Sequence, residues 1–395
     1  MAIQGGFELM SWEKVKLGDI AASVQTGPFG SQLHQSDYSE FGTPVVMPKD
    51  MIGGKILEDS IARVEEQHVN RLSRHKVNVG DILYARRGDV GKCALVTENE
   101  KGWLCGTGCL KVTIDFSKAN PKFVFYQLQK PETVGWVEKH AVGATMLNLN
   151  TGILESIPIE LPKLNEQNKI VDILSAYDNL IENNQKQIKL LEEAAQRLYK
   201  QWFIDLRYPG HETTPIVDGV PEGWRKGIVG EIAEFKRGKV ITKAQVAEGN
   251  IPVVAGGLEP AYYHNTANTT APVITVSGSG ANAGFAQLYN ENVFASDCSF
   301  ADINTTPYVY FVYCLLKDKK TELDSLQKGA AQPHVYAKDI NALATLLPPE
   351  EMLKLYTKYA SPYFEKVKAL KEQIKNLTQS RDRLLPKLMN GELEV

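Results

Sequence analysis

The side chains best suited to binding chemistry lie in two basic stretches, one in each half of the 395-residue chain. Residues 71–92 contain six basic and two acidic side chains, and residues 225–243 contain the same numbers. Arginine and lysine bind phosphates, and the arginine fork also fits the edge of guanine. Because the net charge of the chain is −3, such binding needs a local basic face. A solvated surface of mixed charge explains either stretch alone, but their presence in both halves favours a nucleic-acid surface.

Within these stretches, two segments place cations just after apolar residues. Arg86, Arg87 and Gly88 follow an apolar run, so a turn there would present both guanidinium groups outward. The segment 236–239, which reads Lys-Arg-Gly-Lys, follows Ile232 and Phe235 in a similar way. The candidate contacts from the two stretches are Arg74, Arg86, Arg87, Lys92, Lys236, Arg237 and Lys239.

Motifs for catalysis are missing from the sequence. An amino-methyltransferase needs an Asn- or Asp-Pro-Pro-aromatic loop, whereas the Pro348-Pro349 pair follows a leucine. An ATP-driven motor needs a phosphate loop, and the segment 88–93 is too short and lacks the required Ser or Thr. The glycine-rich segment 277–284 has its third glycine one residue late for a dinucleotide site, and a turn between strands explains it better. We therefore expect no catalytic residue and no cofactor bound by this chain.

The cysteines give no sign of a metal site or a disulfide framework. Their number is odd, they lack CxxC spacing, and no His or Cys cluster completes a zinc site. We interpret them as reduced thiols, which indicates a cytoplasmic protein without a bound metal. No apolar run approaches the ~18 residues of a membrane span, so we expect no membrane partner. The five residues are Cys93, Cys105, Cys109, Cys298 and Cys314.

The sequence contains an internal repeat, in which both halves have the same order of segments. A shift of 186 residues aligns the chain without gaps from Pro121 with Pro307 into the last helix. The front of each half aligns at a shift of 212, where Trp12 meets Trp224. Between these ends the first copy carries about 26 more residues, and the middles differ. Short β-branched and apolar runs separated by Gly-rich turns predict that each copy begins with a β-rich domain.

Each copy ends in a long heptad pattern that predicts a helix. Apolar residues alternate at steps of four and three from Ile170 to Trp202, interrupted by Asn184, and again from Tyr356 to Leu388, interrupted by Arg381. We expect the two helices to form an intramolecular antiparallel coiled coil. We also expect Ser361-Pro362 to break or kink the second helix near its start, with Pro362 as a first-turn residue. The alternative is that each helix packs only on its own domain. The seam residues are Leu174, Tyr177, Ile181, Ile188, Leu191, Leu198, Val367, Ile374, Leu377 and Leu384.

At this point the chain resembles the specificity subunits of Type I restriction-modification systems. The resemblance covers essentially the whole chain, and it depends on the order of its motifs within a duplicated frame. The motifs are Thr26-Gly27-Pro28-Phe29-Gly30-Ser31, Gly80-Asp81-Ile82-Leu83, Gly88-Asp89-Val90-Gly91, Leu161-Pro162, Trp202-Phe203-Ile204-Asp205-Leu206-Arg207, Pro221-Glu222-Gly223-Trp224 and Leu384-Leu385-Pro386-Lys387-Leu388. The second domain departs from the first by lacking Gly-Pro-Phe-Gly.

The resemblance implies an α+β chain with a pseudo-two-fold internal repeat. Its parts are a first target recognition domain (1–162), a central conserved helix (163–208), a second target recognition domain (209–347) and a C-terminal conserved helix (348–395). Gln332 and His334 lie where this family has polar residues near DNA, although a plain surface histidine remains the alternative for His334.

The resemblance also implies a function and a set of partners. The chain would recognise a bipartite, asymmetric site in double-stranded DNA without catalysis of its own. It would direct two methylation subunits, which modify adenine, and restriction subunits within the complex. S-adenosylmethionine, ATP and Mg would be used by those partners.

Two other functions remain open from the sequence. The chain could read DNA for a related system in which one partner polypeptide both cleaves and methylates. It could also be a coiled-coil scaffold that does not touch DNA.

Overall fold

The computed structural model describes residues 12–143, 145–327 and 333–395 of the chain. The chain divides into unit 1, which comprises Met1–Leu180 with Leu377–Val395, and unit 2, which comprises Ile181–Asn376. Each unit combines β-sheets with segments of two long helices, so the predicted α+β class with an internal repeat is confirmed.

Unit 1 is built around a four-stranded antiparallel sheet with the strand order β2-β11-β8-β9. A second sheet has the order β10-β4-β7-β3, in which β10 and β4 are parallel. The strands are β1 (Glu13–Lys16), β2 (Ala21–Thr26), β3 (Tyr38–Ser39), β4 (Thr43–Val46), β5 (Met51–Ile52), β6 (Lys55–Ile56), β7 (Ala62–Val64), β8 (Ile82–Ala85), β9 (Cys93–Leu95), β10 (Leu104–Cys105), β11 (Cys109–Ile114) and β12 (Pro158–Leu161). The helices are α1 (Leu17–Ile20), α2 (Glu66–Arg71), α3 (Pro121–Leu128), α4 (Pro131–His140), α5 (Thr151–Glu155) and α6 (Leu164–Tyr199), which continues into unit 2.

Unit 2 repeats this arrangement with a four-stranded antiparallel sheet in the order β16-β22-β19-β20. Its second sheet has the order β18-β17-β21, in which β17 and β21 are parallel. The strands are β13 (Ile216–Val217), β14 (Val220–Pro221), β15 (Arg225–Ile228), β16 (Lys236–Arg237), β17 (Ile251–Val254), β18 (Tyr262–His264), β19 (Val273–Ser277), β20 (Ala286–Tyr289), β21 (Phe294–Ala295), β22 (Cys298–Asp302) and β23 (Ala344–Leu347). The helices are α7 (Val309–Asp318), α8 (Lys320–Ser325), α9 (Ala337–Asn341) and α10 (Glu350–Met389), which continues into unit 1.

The strand orders show that the repeat extends through the middles that the sequence could not align. In each antiparallel four-stranded sheet (β2-β11-β8-β9 and β16-β22-β19-β20), called the main sheet below, a cysteine begins one of the two inner strands: Cys109 in β11 and Cys298 in β22. The Cys109 thiol lies 3.4 Å from the carbonyl oxygen of Val46, and the Cys298 thiol lies 3.7 Å from that of Val254. β2, β11, β8 and β9 therefore correspond to β16, β22, β19 and β20.

The main sheet and the helices share one hydrophobic core within each unit. In unit 1, Ile170 and Leu174 of α6 and Leu388 of α10 pack with the sheet and α3. Asn120 is the N-cap residue of α3. Its side-chain oxygen accepts hydrogen bonds from the backbone amides of Lys122 and Phe123, and Pro121 occupies the first helical position. In unit 2, the core joins residues of α6 and α10 to the sheet and α7.

The two long helices contact each other in an antiparallel sense within each unit. In unit 1, Asp178 of α6 accepts from Arg381 of α10, and Lys169, nearer the start of α6, donates to the carbonyl of Val395 beyond the end of α10. In unit 2, the Asn184 amide donates to Gln373 at 3.3 Å. Every predicted seam residue is buried or half-buried: Leu174, Tyr177, Ile181, Ile188, Leu191, Leu198, Val367, Ile374, Leu377 and Leu384. The heptad seam stays a prediction with which this burial is compatible, and Asn184, which interrupts it, has a polar partner.

One expectation about the second helix is wrong. Pro362 does not mark its start, because α10 begins at Glu350 and continues through the proline. Proline removes one backbone donor, so the carbonyl of Lys358 loses its usual helical donor; the neighbouring hydroxyls do not replace it, because they bond to other carbonyls. Thr357 Oγ1 donates to the carbonyl of Leu353, and Ser361 Oγ donates to that of Thr357, both at 2.7 Å. Tertiary packing of the apolar face maintains the helix. In the described residues, no helix is both long and apolar enough to cross a membrane.

Candidate nucleic-acid interface

The antiparallel strand order brings several loops to one edge of each main sheet. In unit 1, β2 and β8 end at this edge, where β11 and β9 begin. We call this the loop edge. In unit 1 it carries the segments 27–30 and 86–92, and residues 147–149 attach to the second of these. In unit 2 the corresponding segments are 238–240, 278–285 and 333–336.

Two of these segments form a small backbone frame, which we call the loop pair. In unit 1 the loop pair joins residues 86–88 to residues 147–149, and in unit 2 it joins 278–280 to 333–335. The unit 1 bonds are Gly88 N to Leu147 O (3.1 Å), Leu149 N to Arg86 O (2.8 Å) and Arg86 N to Gly108 O (2.8 Å). The unit 2 bonds are Gly280 N to Pro333 O (3.1 Å), Val335 N to Gly278 O (3.1 Å) and Gly278 N to Asp297 O (3.3 Å).

The two loop pairs also share their backbone conformation. Gly88 has φ +77° and Gly280 has φ +79°, the left-handed region that glycine adopts without steric cost. Arg87 forms a bridge with Asn148, and Ser279 forms the same bridge with His334. The two loop pairs therefore have one backbone and different side chains.

In unit 1, the predicted arginines belong to the loop pair. Arg86 is half-buried, with its guanidinium carbon 5.7 Å from the centre of the exposed Phe29 ring, a cation–π contact that orients it. Its Nε is buried and has no hydrogen-bond partner within the described residues. Arg87 is exposed, and no ion pair is found for it in the described part of the chain.

The other two predicted cations of unit 1 differ in their availability. Lys92 is exposed but lies 3.3 Å from the carboxylate of Asp89, which reduces its local charge. Arg74 is exposed on the 73–75 turn. Lys111 of β11 holds this turn by donating to the carbonyls of Arg74 (3.5 Å) and Lys76 (2.7 Å).

In unit 2, the predicted cations come from a different strand of the same edge. Lys236 and Arg237 form β16, the counterpart of β2, and Lys239 follows; all three are exposed. Gly238 donates its amide to Cys298 O at 2.8 Å, as Gly27 donates to Cys109 O at 2.9 Å. Arg237 thus corresponds to Thr26 rather than to Arg87.

Close backbone packing explains why glycine occupies both of these positions. A Cβ on Gly27 would lie 1.8 Å from the carbonyl oxygen of Gly106, and a Cβ on Gly238 would lie 2.4 Å from that of Ser296. Any other residue would push the loop off the sheet edge. These glycines therefore set the path of the loops that carry the exposed side chains.

The polar tip of the second loop pair is supported by neighbouring side chains. His334 is half-buried and stacks on Tyr336, with ring centres 6.1 Å apart and planes 16° apart. The Ser279 hydroxyl donates to the Asp297 carboxylate at 2.5 Å. The predicted residue Gln332 lies outside the described residues.

Sequence reasoning missed Asn148 and Ser279. The shift of 186 residues already aligned Asn148 with His334, so that signal could have identified Asn148. The correspondence of Ser279 with Arg87 has no such signal, because their segments share only one glycine.

The buried cysteines of the described residues are unreactive thiols. Burial raises the pKa of the Cys93, Cys105, Cys298 and Cys314 thiols to about 12, so they stay protonated and unreactive. In the part of the chain that the structure describes, no cluster of His, Cys, Asp or Glu could hold a metal.

Comparisons with known proteins agree on one family. The profile of the Type I restriction modification DNA specificity domain matches residues 10–193 and again residues 221–379. The specificity subunit of the Type I restriction enzyme MjaIX from Methanocaldococcus jannaschii is 25% identical, and the alignment covers 97% of this chain and 94% of that protein. The HindI specificity subunit of Haemophilus influenzae is 20% identical, with 98% and 100% covered. The crystal structure of a Type I S subunit from M. genitalium has the same fold, with a TM-score of 0.62, 20% identity and 98% of both chains covered.

Proposed function

Since the chain belongs to the family of Type I restriction-modification DNA specificity domains, we propose that it reads a bipartite, asymmetric site in double-stranded DNA, one half with each unit. As a specificity subunit its role is recognition of DNA sequence rather than catalysis.

The observation that carries this proposal is the pair of matching loop edges with unlike side chains. One backbone frame presents Arg87 beside Asn148 in unit 1 and Ser279 beside His334 in unit 2. Because base pairs are distinguished by the donors and acceptors that side chains present to them, unlike side chains on like frames favour unlike half-sites.

The positions of the cations at the two loop edges support two roles, in which some side chains contact phosphates and others contact bases. Arg86 and Arg87 lie in the loop pair of unit 1, where bidentate contact with guanine is available to a guanidinium group. Lys236, Arg237 and Lys239 lie on a neighbouring strand of unit 2, where a short row of exposed cations suits a phosphate backbone. We assign Arg74 and Lys92 to phosphate contacts at the margin of unit 1.

We further propose that two methylation subunits dock on one copy of this chain and modify adenine. The support is the repeat itself, since residues from 121 onward recur from 307 onward and offer two similar surfaces. Restriction subunits would bind to the complex of this chain with the methylation subunits. S-adenosylmethionine, ATP and Mg would be bound by those partners.

Five buried, unpaired cysteines favour the reducing cytoplasm as the compartment in which the chain acts.

Sequencing of modified adenines in a host that carries the complete system tests the proposal. We expect a motif of two unlike parts separated by an unread spacer. Changing Arg86 and Arg87 together to alanine should alter only one part of the motif. Changing Lys236 and Arg237 to alanine should lower methylation at all sites without altering either part, because phosphate contacts carry no sequence information. Lys101→Ala is the control, because this exposed lysine already pairs with Glu98 away from the loop edge. A continuous palindromic motif, or none, would contradict the proposal.

A further inference from the structure

The side chain of Asn148 is the strongest candidate for a base contact that the sequence did not suggest. Its backbone is fixed, since its amide donates to the carbonyl of Val142 at 2.9 Å and its carbonyl accepts from the Val142 amide at 3.0 Å. The bridge to Arg87 holds the other side of this segment on the loop edge. The amide side chain is therefore presented from a rigid position.

Asn148 has an unmet hydrogen-bonding capacity. Its Oδ1 is buried and has no hydrogen-bond partner within the described residues. Buried acceptors are rarely left unpaired, because the loss of hydration is not recovered. The neighbouring Nε of Arg86 is unpaired in the same way. Since both atoms are shielded from solvent as the side chains stand, an external ligand can complete them only when the side chains turn outward, and for Asn148 that turn breaks no hydrogen bond to Oδ1.

The corresponding position in unit 2 carries a different chemistry. His334 occupies the place of Asn148, but its ring is stacked on Tyr336 and its bridge partner is Ser279. An imidazole offers a single donor or acceptor per nitrogen, whereas an amide offers a donor and an acceptor side by side. The equivalent positions of the two loop pairs would therefore recognise different bases in the two half-sites.

We infer that Asn148 determines specificity by reading an adenine in the first half-site, with its amide oxygen accepting from N6 and its amide nitrogen donating to N7. His334 makes the corresponding contact to a different base in the second half-site. The inference rests on the proposed function, and it adds which residue reads and which base is read. The pairing of an amide with adenine is the geometry that the major groove makes available to Asn.

The test is selection of bound sequences from a randomised duplex library by the full-length chain in its assembled complex. For Asn148→Ala we expect a roughly 10- to 100-fold loss of preference at one adenine of the first half-site. For Asn148→Asp, which has the same shape, we expect the preference at that position to move toward cytosine, since a carboxylate accepts from cytosine N4. The second half-site should be unchanged in both variants.

Asn99→Ala is the matched control, because Asn99 is an exposed asparagine of unit 1 that lies in the turn beyond β9, away from the loop edge. Its motif should equal that of the unaltered chain. An unchanged motif in Asn148→Ala and Asn148→Asp would overturn the inference, as would an equal loss of affinity for all sequences. An unaltered chain that selects no sequence would instead refute the proposed function.

Discussion

Lys111 and Asp81 face each other inside the main sheet of unit 1 with 3.9 Å between Nζ and Oδ2, whereas strand register places Phe300 and Val273 at the corresponding positions of unit 2. Both charged side chains are almost fully buried, with 8% and 1% of their areas exposed. The charges are satisfied in unit 1, because Lys111 also donates to two backbone carbonyls and Asp81 accepts from the amide of Asn78 and from Thr113.

The helix contacts show the same contrast between the units. In unit 1, the Asp178 carboxylate accepts from Arg381 at 3.0 Å and from the Tyr126 hydroxyl at 2.5 Å. The residue 186 positions after Asp178 is Phe364, which stacks on Tyr310 with ring centres 4.4 Å apart. The fold is therefore compatible with either chemistry, which indicates that strand register and the apolar seam specify it, and that the buried charges of unit 1 do not.

Removal of one charge of the buried pair should have the strongest effect on unit 1. Lys111→Met should destabilise unit 1 by about 3–5 kcal/mol, because Asp81 would remain charged without its partner. Combining Lys111→Phe with Asp81→Val, the residues of unit 2, should recover at least half of that loss. Hydrogen exchange of unit 1 and unit 2 peptides in the intact chain measures both. No recovery in the double variant would show that unit 1 depends on its charges.

Acid should weaken unit 1 through His75, which is 1% exposed. Burial, with the nearby charges of Arg74 and Lys111, lowers the pKa of His75 from 6.5 to about 4. A hydrogen bond between His75 and the backbone of Thr26 acts in the opposite direction. The folded state therefore favours the neutral imidazole of His75 over its protonated form. This contribution to stability is complete above pH 6.5 and decreases by about 1.4 kcal/mol per pH unit as the pH falls toward 4.

Denaturant unfolding of unit 1 at several pH values measures this loss. His75→Gln should remove the part of the pH dependence that arises between pH 6.5 and 4. Retention of the same slope in that variant would assign the acid sensitivity to other groups.

A smaller effect is expected at the helix contact of unit 1. Asp178→Ala should cost about 1–3 kcal/mol, since two hydrogen bonds are lost and the Tyr126 hydroxyl and Arg381 lose a partner. Because both charged side chains remain about 30% exposed, added salt should weaken the contact. Thermal unfolding at low and high salt measures this. At the corresponding contact of unit 2, where Phe364 lies, stability should not fall with salt.

The smallest effect distinguishes phosphate from base contacts at the two loop edges. Lys239→Ala should weaken DNA binding about equally for all sequences and reduce the slope of log affinity against log salt by about 1. Arg87→Ala should reduce discrimination at one position of the first half-site instead. Titration of labelled duplexes at several salt concentrations separates the two outcomes. A sequence-selective effect of Lys239→Ala would reverse the assignment for unit 2.

The sequence predicted the architecture well because its signals are local and periodic. Heptad steps predicted both long helices and their seam, and the shift of 186 residues predicted the repeat. Short apolar runs between turns predicted β-rich domains. It did not predict the continuation of α10 through Pro362, because propensity at one residue is outweighed by packing along forty residues of helix.

The class of fold, the two-fold repetition and the family resemblance are therefore readable from the amino-acid sequence. The correspondence between residues of the two copies at the loop edge becomes visible only in the folded chain. Arg87 matches Ser279, and Arg237 matches Thr26, although the order of cations along the chain suggested a match between the two basic segments. The physical reason is that these correspondences are set by non-local hydrogen bonds between strands and loops, which fix the backbone while leaving the side chains free to vary.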